Sequence, residues 1–177
     1  LFISPHLCGL FYSKQAGMKF HRLSEAQFHE MHEEFSVFLS SNSIDKKKWV
    51  RIKSEAPEKV TFLLDKFSDL VWEKILNQCN YIEFSTPSQL FLFHTKKNSV
   101  DALVVKSADR VQDLSTPKGF QWMLKNISSD SISLFNASKI YTPNRTDFIY
   151  SYLKKGAVLS DGQYFKHLKS YFPNSIK

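Results

Sequence analysis

Cysteine, glycine and long apolar runs are all scarce in this sequence. Its 177 residues include two cysteines, Cys8 and Cys79, which cannot build a disulfide framework or a closely spaced metal-binding pair. The five glycines form no close-set group that could cradle a phosphate, and no G-x-S-x-G nucleophile elbow occurs. No stretch reaches the roughly 18 apolar residues of a membrane span. We therefore expect a soluble cytoplasmic protein with no cofactor, no metal ion and no membrane contact.

Residues 1–17 lack the periodicity of a folded domain. Pro5 and Gly9 interrupt the segment, and its only positive charge, Lys14, follows the apolar residues, whereas a signal peptide carries its positive charge first. From Met18 onward the periodicity is strong. We interpret residues 1–17 as an over-extended, disordered start, with a weak export signal as the alternative, and predict one globular domain over residues 18–177.

The remaining composition is that of a globular protein with an aromatic core. Hydrophobic residues make up 42% and charged residues 23%, which excludes a disordered chain. Sixteen phenylalanines dominate the aromatic residues, and phenylalanine mostly seeks burial because its ring makes no conventional hydrogen bonds.

The first half of the chain is predicted to be helical. Ser24 and Gln27 fit a capping box, and the helix that they open is expected to run to about Ser40. Asp45 is predicted to cap a second helix that ends at Pro57, and a third helix is expected from about Glu58 to Asn77.

After Asn80 the period becomes that of strands. Short turns separate the segments 81–84, 89–95 and 100–106, which favours an antiparallel meander. Thr116 and Pro117 open another helix, 131–136 resembles a fourth strand, and two helices, 147–155 and 163–172, flank a short strand at 157–159. The predicted class is α+β: N-terminal helices, then an antiparallel sheet of three to four strands with further helices packed on it.

Charge is divided unevenly between the two halves. Residues 18–90 contain ten basic and eleven acidic side chains, whereas residues 91–177 contain thirteen and six, and glutamate is absent after Glu83. The asymmetry predicts a basic side that attracts an acidic surface or a phosphate backbone.

The sequence from His29 to Glu33 is close to a zinc-protease helix but does not match it. That motif needs two histidines four residues apart, and here His29 and His32 are three apart. A looser site using His29, Glu33 and Asp69 stays open as a metal-enzyme hypothesis. For His32 we favour a hydrogen-bonded core histidine.

Three carboxylates, Asp65, Asp69 and Glu73, recur every four residues on the third predicted helix. Paired carboxylates can serve acid and base catalysis when burial separates their pKa values. We favour a simpler role, in which they face solvent or pair with Lys and Arg of a neighbouring element. The candidate polar cluster is His29, His32, Glu33, Asp69 and Glu73.

Rings and basic residues alternate in the last 39 residues, as they do on nucleic-acid surfaces. Helical spacing assigns most of these rings to the core, including Tyr164, Phe165, Tyr171 and Phe172. Tyr141 is expected to keep an exposed ring. The predicted basic outer face consists of Lys139, Arg145, Lys154, Lys155, Lys166 and Lys169.

Four segments resemble a family of uncharacterised bacterial proteins that share a domain of unknown function. They are 23–38 with its His32–Phe35 run, Phe67–Glu73, Gln89–His94 and Ala137–Tyr141. The resemblance begins at about residue 18 and implies no activity, cofactor or catalytic residue.

These observations favour a small non-catalytic protein that binds a protein partner. The first alternative is RNA or DNA binding through the basic C-terminal half, and the second is a metal-dependent enzyme. The oligomeric state is left open.

Overall fold

The computed structural model describes residues 18–172, which form seven helices and one five-stranded sheet. The predicted leader, residues 1–17, lies outside the described residues. The chain divides into two compact units between Ile75 and Leu76: the first is helical and the second contains the whole sheet. The fold class is α+β, as the sequence predicts, and the single-domain assignment stays a prediction.

Four helices come first along the chain, and the five strands follow with three further helices among and after them. The helices are α1 (Glu25–Glu30), α2 (His32–Ser41), α3 (Lys46–Glu55), α4 (Pro57–Gln78), α5 (Pro117–Lys125), α6 (Arg145–Leu153) and α7 (Gln163–Lys169). The strands are β1 (Tyr81–Thr86), β2 (Gln89–Thr95), β3 (Ser99–Ser107), β4 (Ile132–Ile140) and β5 (Val158–Ser160).

Side-chain caps begin the helices where the sequence indicates. The Ser24 hydroxyl accepts from the Gln27 N–H while the Gln27 side chain accepts from the Ser24 N–H, which completes the capping box. Asp45 caps α3 by accepting from the Lys48 N–H at 2.7 Å. The first predicted helix is nevertheless two helices, because Met31 leaves helical geometry with φ −105° and ψ 27°. Neither glycine nor proline marks that break.

The first unit is built around the ring of Phe67. Its centroid lies 5.1 to 5.9 Å from those of Phe28, Phe35 and Phe38, and only 2% of Phe67 is exposed. Each such aromatic pair contributes about 0.5–1.5 kcal/mol beyond the burial of its rings. The predicted aromatic core is confirmed here.

The sheet is antiparallel throughout, with strand order β4-β3-β2-β1-β5. It has one strand more than the predicted three to four, because the short strand predicted at 157–159 joins it as β5. Strand β4 continues to Ile140, four residues beyond the predicted end at Asn136. The long β4 and the three-residue β5 form the two edges. Side chains alternate between the two sides of the sheet along each strand.

Each side of the sheet is covered by a different C-terminal helix. On the α7 face, Leu92 and Leu103 pack with Phe165 and Leu168 in a buried cluster that also includes Met123 of α5. On the α6 face, the Phe93 ring lies 5.5 Å from that of Phe148 and 4.6 Å from that of Tyr152. The basic residues that these helices carry are thus held on opposite sides of the sheet.

Candidate functional site

In the candidate polar cluster, the side chains of His29, His32 and Glu33 are exposed to solvent. The His29 and His32 rings are 6.3 Å apart, and Nδ1 of His32 lies 3.0 Å from the His29 carbonyl oxygen. The prediction of a core histidine at His32 is therefore wrong, because the break at Met31 starts a new helix and His32 begins it.

Asp69 and Glu73 bind the segment that leads into α1. Asp69 accepts from the N–H groups of Lys19 and Phe20 at 2.9 to 3.1 Å, and Glu73 pairs with the Lys19 ammonium at 3.3 Å. One turn earlier, Asp65 pairs with Arg22 at 2.6 Å. The carboxylate stripe thus anchors residues 19–22, which agrees with the simpler of its two predicted roles.

Among residues 18–172, no group of three or more His, Cys, Asp or Glu side chains is arranged to hold a metal ion. The contacts of Asp69 are to backbone amides, whereas the described contacts of His29 are to His32. The structure describes no contact that joins His29, Glu33 and Asp69 into one site.

Arg145 differs from the other predicted surface cations because it is half-buried and its guanidinium binds several distant backbone carbonyls. It donates to Leu76 O at 2.7 Å, to Thr95 O at 3.2 Å and also to Cys79 O. These contacts tie the end of α4 to the beginning of β1 and the end of β2. The sequence gives no sign of this role, since the three acceptors are 50 to 69 residues away.

The five remaining basic residues are all exposed but lie in three places. Lys139 is on β4, Lys154 and Lys155 follow α6, and Lys166 and Lys169 are on α7.

Helical spacing predicts burial correctly for only some of the C-terminal rings. Phe165 is buried, but Tyr164 is 39% and Tyr171 is 43% exposed. Tyr141, predicted to be exposed, is half-buried and donates from its hydroxyl to the Lys96 carbonyl at 2.8 Å, and burial raises the pKa of this phenol. Because α7 ends at Lys169, it is too short to bury a continuous stripe.

Strand β4 is the longer of the two edge strands, and most of its length is exposed. Eight of its nine residues are incompletely buried, and the exposed fractions of Phe135 and Ile140 reach 51% and 76%. In the part of the chain that the structure describes, β4 pairs with β3 alone. An open edge of this length offers a row of backbone groups to another strand.

The hydrogen bonds around β3 show which backbone groups of β4 point outward. The Ser107 N–H donates toward β2, to Ser88 O, and the next N–H, that of Ala108, donates toward β4, to Ser131 O. Successive backbone groups of a strand point to opposite sides, and opposed residues in an antiparallel ladder bond in alternate pairs. By the β3–β4 register, the residues bonded to β3 are Ser133, Phe135, Ala137 and Lys139, and those that point outward are Leu134, Asn136, Ser138 and Ile140.

A polar row crosses all five strands on the α7 face. Its members are paired neighbours in the register: Ser160, Tyr81, His94, Asp101 and Ser138. The next row on the same face of the sheet contains Leu92 opposite Leu103, and both are buried. Buried and half-buried polar groups beside such an apolar row point to function more strongly than exposed ones do.

The centre of the polar row is tightly packed. The Tyr81 and His94 rings stack at 4.6 Å with 14° between their planes. Asp101 pairs with the Lys96 ammonium at 2.5 Å and accepts from the Ser138 hydroxyl at 2.8 Å. Burial alone would raise the pKa of Asp101, but these two hydrogen bonds and the Lys96 charge lower it. The pKa of His94 is lowered, first by burial and then by the charge of Lys96, with Lys169 and Lys166 adding to the effect.

Sequence reasoning missed both the polar row and the open edge. The only local signals were His94 at the end of an apolar run and Asp101 within one. Their meeting depends on strand register, which hydrophobic spacing does not reveal for a polar position. Cys79 is a buried free thiol, and burial raises its pKa.

The chain belongs to a family of unknown function, DUF6495, whose model matches residues 18–173. The match begins at Met18, where the periodicity of the sequence begins. No curated protein and no solved structure matches the chain. No described helix has the combined length and apolar character that crossing a membrane requires.

Proposed function

We propose that this protein is a small non-catalytic binding protein of the cytoplasm that adds an extended strand of a protein partner to β4. The observation that carries the proposal is the exposure of a nine-residue edge strand whose outward backbone groups lie beside Phe135 and Ile140. Strand addition provides backbone hydrogen bonds for affinity and side-chain contacts for specificity.

The two sheet edges differ in a way that singles out β4. β5 has only three residues, and short edge strands are a common protection against unwanted pairing. β4 is three times as long and has a single charged residue, Lys139. Such a strand is poorly protected against pairing, which favours a partner that occupies it.

Charge complementarity indicates what the partner strand contains. On the α6 face, Phe135 lies between two basic positions, because Lys139 follows it on β4 and Lys106 is opposite Ser133. The strand itself has no acidic residue. We expect a partner strand with an apolar side chain beside Phe135 and acidic side chains on both sides of it.

The test removes one outward N–H of β4 without removing a bond to β3. Asn136→Pro deletes a donor that points away from the sheet, whereas Asn136→Ala changes the same side chain and keeps the N–H. Both proteins, and the unchanged protein, are used to capture partners from native lysate. Amide hydrogen exchange of β4 is then measured with the captured partner added.

We expect a partner that Asn136→Ala retains and Asn136→Pro loses, and slower exchange at Asn136 and Ser138 in its presence. Equal capture by both variants would refute strand addition at β4. Capture of no protein, together with turnover in an activity screen, would refute the binding function itself. A salt-sensitive gel shift with RNA that Asn136→Pro leaves unchanged would instead support the nucleic-acid alternative.

A further inference from the structure

A row of apolar side chains crosses four strands on the α6 face of the sheet. Its members are paired neighbours in the register: Phe84, Phe91, Val104 and Phe135. The Phe84 and Phe91 rings lie 5.8 Å apart. The first three side chains are half-buried, and Phe135 is 51% exposed. A sheet normally buries its apolar side chains against another element, so this row is suited to a contact with a further element.

Helix α6 covers the neighbouring row more fully than this one. Its Phe148 and Tyr152 rings lie 5.5 and 4.6 Å from the ring of Phe93, which is only 4% exposed. Tyr152 also reaches the apolar row, because its ring is 6.1 Å from that of Phe84. The Lys155 ammonium lies 5.0 Å from the centre of the Tyr152 ring. A cation therefore borders the row on the α6 side.

Charge on the strands is sorted between the two faces of the sheet. Glu83 and Asp101 lie on the α7 face, whereas the register places Lys106 and Lys139 on the α6 face with Phe93. These four are the only Asp, Glu, Lys or Arg residues of the five strands. None of the ion pairs among residues 18–172 includes either lysine. The apolar row thus lies between positive charges, and no strand has an acid on this face.

The length and surface of the row fit an amphipathic helix better than an extended segment. Four strands at the usual spacing of about 4.8 Å span about 14 Å, the length of roughly ten helical residues. A helix satisfies its own backbone hydrogen bonds, whereas an extended segment lying on apolar side chains would leave its backbone groups without partners. Base stacking needs exposed ring faces, but Phe84 and Phe91 already pack against each other. The row therefore favours a helix over a nucleic acid.

We propose that this apolar row binds a short acidic amphipathic helix of a protein partner, which lies across strands β1 to β4. Apolar residues of the helix contact Phe91 and Phe135. Its acidic residues pair with Lys106 on one side and with Lys139 and Lys155 on the other. The proposal rests on the proposed function in assuming a protein partner, but it uses the face of the sheet rather than the edge of β4. Because Phe135 belongs to both, one partner can occupy the two surfaces together.

The test selects binders to the full chain from a random library of peptides of about 16 residues, somewhat more than four helical turns. The enriched peptides are labelled, and their affinities are measured by fluorescence anisotropy. Lys106→Glu is compared with Lys169→Glu, which makes the same charge change at an exposed position on α7. Phe135→Ala is compared with Tyr164→Ala, which removes a ring that is 39% exposed on α7. Circular dichroism checks that all four variants fold.

We expect the enriched peptides to be acidic, to have apolar residues at helical spacing, and to become helical when bound. Lys106→Glu should weaken binding at least about tenfold, because it replaces an attraction by a repulsion between like charges. Phe135→Ala should weaken binding about fivefold or more, the effect of an important interface side chain. Lys169→Glu and Tyr164→Ala should each change it less than about twofold, since both lie on the other side of the sheet.

Enriched peptides without acidic residues, or equal binding to Lys106→Glu and Lys169→Glu, would overturn the proposal. Peptides that Asn136→Pro loses and Lys106→Glu retains would also overturn it, while supporting strand addition at β4. Peptides that Lys106→Glu loses and Asn136→Pro retains would support the helix site without strand addition. If no peptide is enriched the proposal fails, and a gel shift of single-stranded RNA that Lys106→Glu removes would assign the row to nucleic acid.

Discussion

Arg145 joins three separated backbone segments, and its role shows how one side chain can organise the sheet unit. The carbonyls of Leu76, Cys79 and Thr95 all accept from its guanidinium, whose planar set of donors suits several acceptors at once. Leu76 and Thr95 are buried, so without Arg145 their carbonyls would lack this donor, whereas the Cys79 carbonyl also accepts from the Thr95 hydroxyl at 2.8 Å.

We predict that Arg145→Ala lowers the free energy of unfolding by about 3 kcal/mol, because it leaves carbonyls unsatisfied near buried residues. Arg145→Lys should lose less, since one ammonium replaces part of the donor set. Urea denaturation measures both. Lys154→Ala, at an exposed position, is the control and should change stability by less than about 0.5 kcal/mol. A loss for Arg145→Ala as small as the control's would show that these carbonyls do not need the guanidinium.

Gly162 is a second residue whose identity is fixed by its surroundings. Its φ of 77° disfavours other residues, and an added side-chain carbon would meet the Tyr81 ring at 2.5 Å. Gly162→Ala is expected to cost about 2–4 kcal/mol, the sum of backbone strain and overpacking. Gly156 also has a positive φ, 96°, but nothing lies within 4 Å, so Gly156→Ala should cost only about 1–2 kcal/mol. Thermal unfolding of the two variants tests the difference, and equal losses would contradict the contact with Tyr81.

His94 gives a pH dependence whose sign follows from its lowered pKa. The folded protein binds a proton at His94 less readily than the unfolded chain does, so the unfolded state gains protons first as the pH falls. Stability should therefore decrease as the pH drops below the ordinary histidine value of about 6.5 and level off below the folded pKa. Asp101 does not contribute to this pH dependence, because its pKa is lowered and its effect on stability is confined to pH values below the ordinary aspartate pKa of 3.8.

We expect His94→Gln to flatten this part of the stability profile, measured by urea titrations between about pH 5 and 7. An unchanged slope in His94→Gln would assign the pH dependence to other histidines. The matched control is His29→Gln, because His29 is exposed.

Strand β4 has two sets of backbone groups with different surroundings. Phe135 and Ala137 exchange hydrogen bonds with β3, whereas Asn136 and Ser138 point away from the sheet. We predict alternating amide hydrogen exchange along β4 in the isolated protein, slow at the first pair and fast at the second. Uniformly slow exchange would mean that the edge is already covered, and strand addition would then have no open site.

On the scale of the whole molecule, each compact unit has its own buried cluster, around Phe67 in the first and Leu92 in the second. The single-domain prediction requires that the two units unfold together.

We predict that Phe67→Ala, which should cost about 3–5 kcal/mol, lowers the unfolding midpoint seen from both units. Trp49 and Trp72 report on the first unit and Trp122 on the second, so variants that keep one tryptophan at a time separate the signals by fluorescence. A midpoint that moves for Trp49 but stays unchanged for Trp122 would show two independently unfolding domains.

The sequence alone determined most of the helices, the meander and the aromatic core, because these depend on local caps and on hydrophobic spacing. Ser24 with Gln27, Asp45 and Thr116 each cap a helix where predicted, and Phe67 lies in the core. Asp65 and Glu73 on α4 pair with basic side chains of a neighbouring segment, which is one of the roles predicted for them, whereas Asp69 binds backbone amides.

Only the tertiary structure decided which polar side chains meet. Strand register aligned Tyr81, His94, Asp101 and Ser138 in one row, and the meander left β4 open at its edge. Packing of α6 and α7 on opposite sides separated Lys154 and Lys155 from Lys166 and Lys169, while Arg145 turned inward to distant carbonyls. Such juxtapositions join residues far apart in sequence, and spacing along a chain carries no information about them.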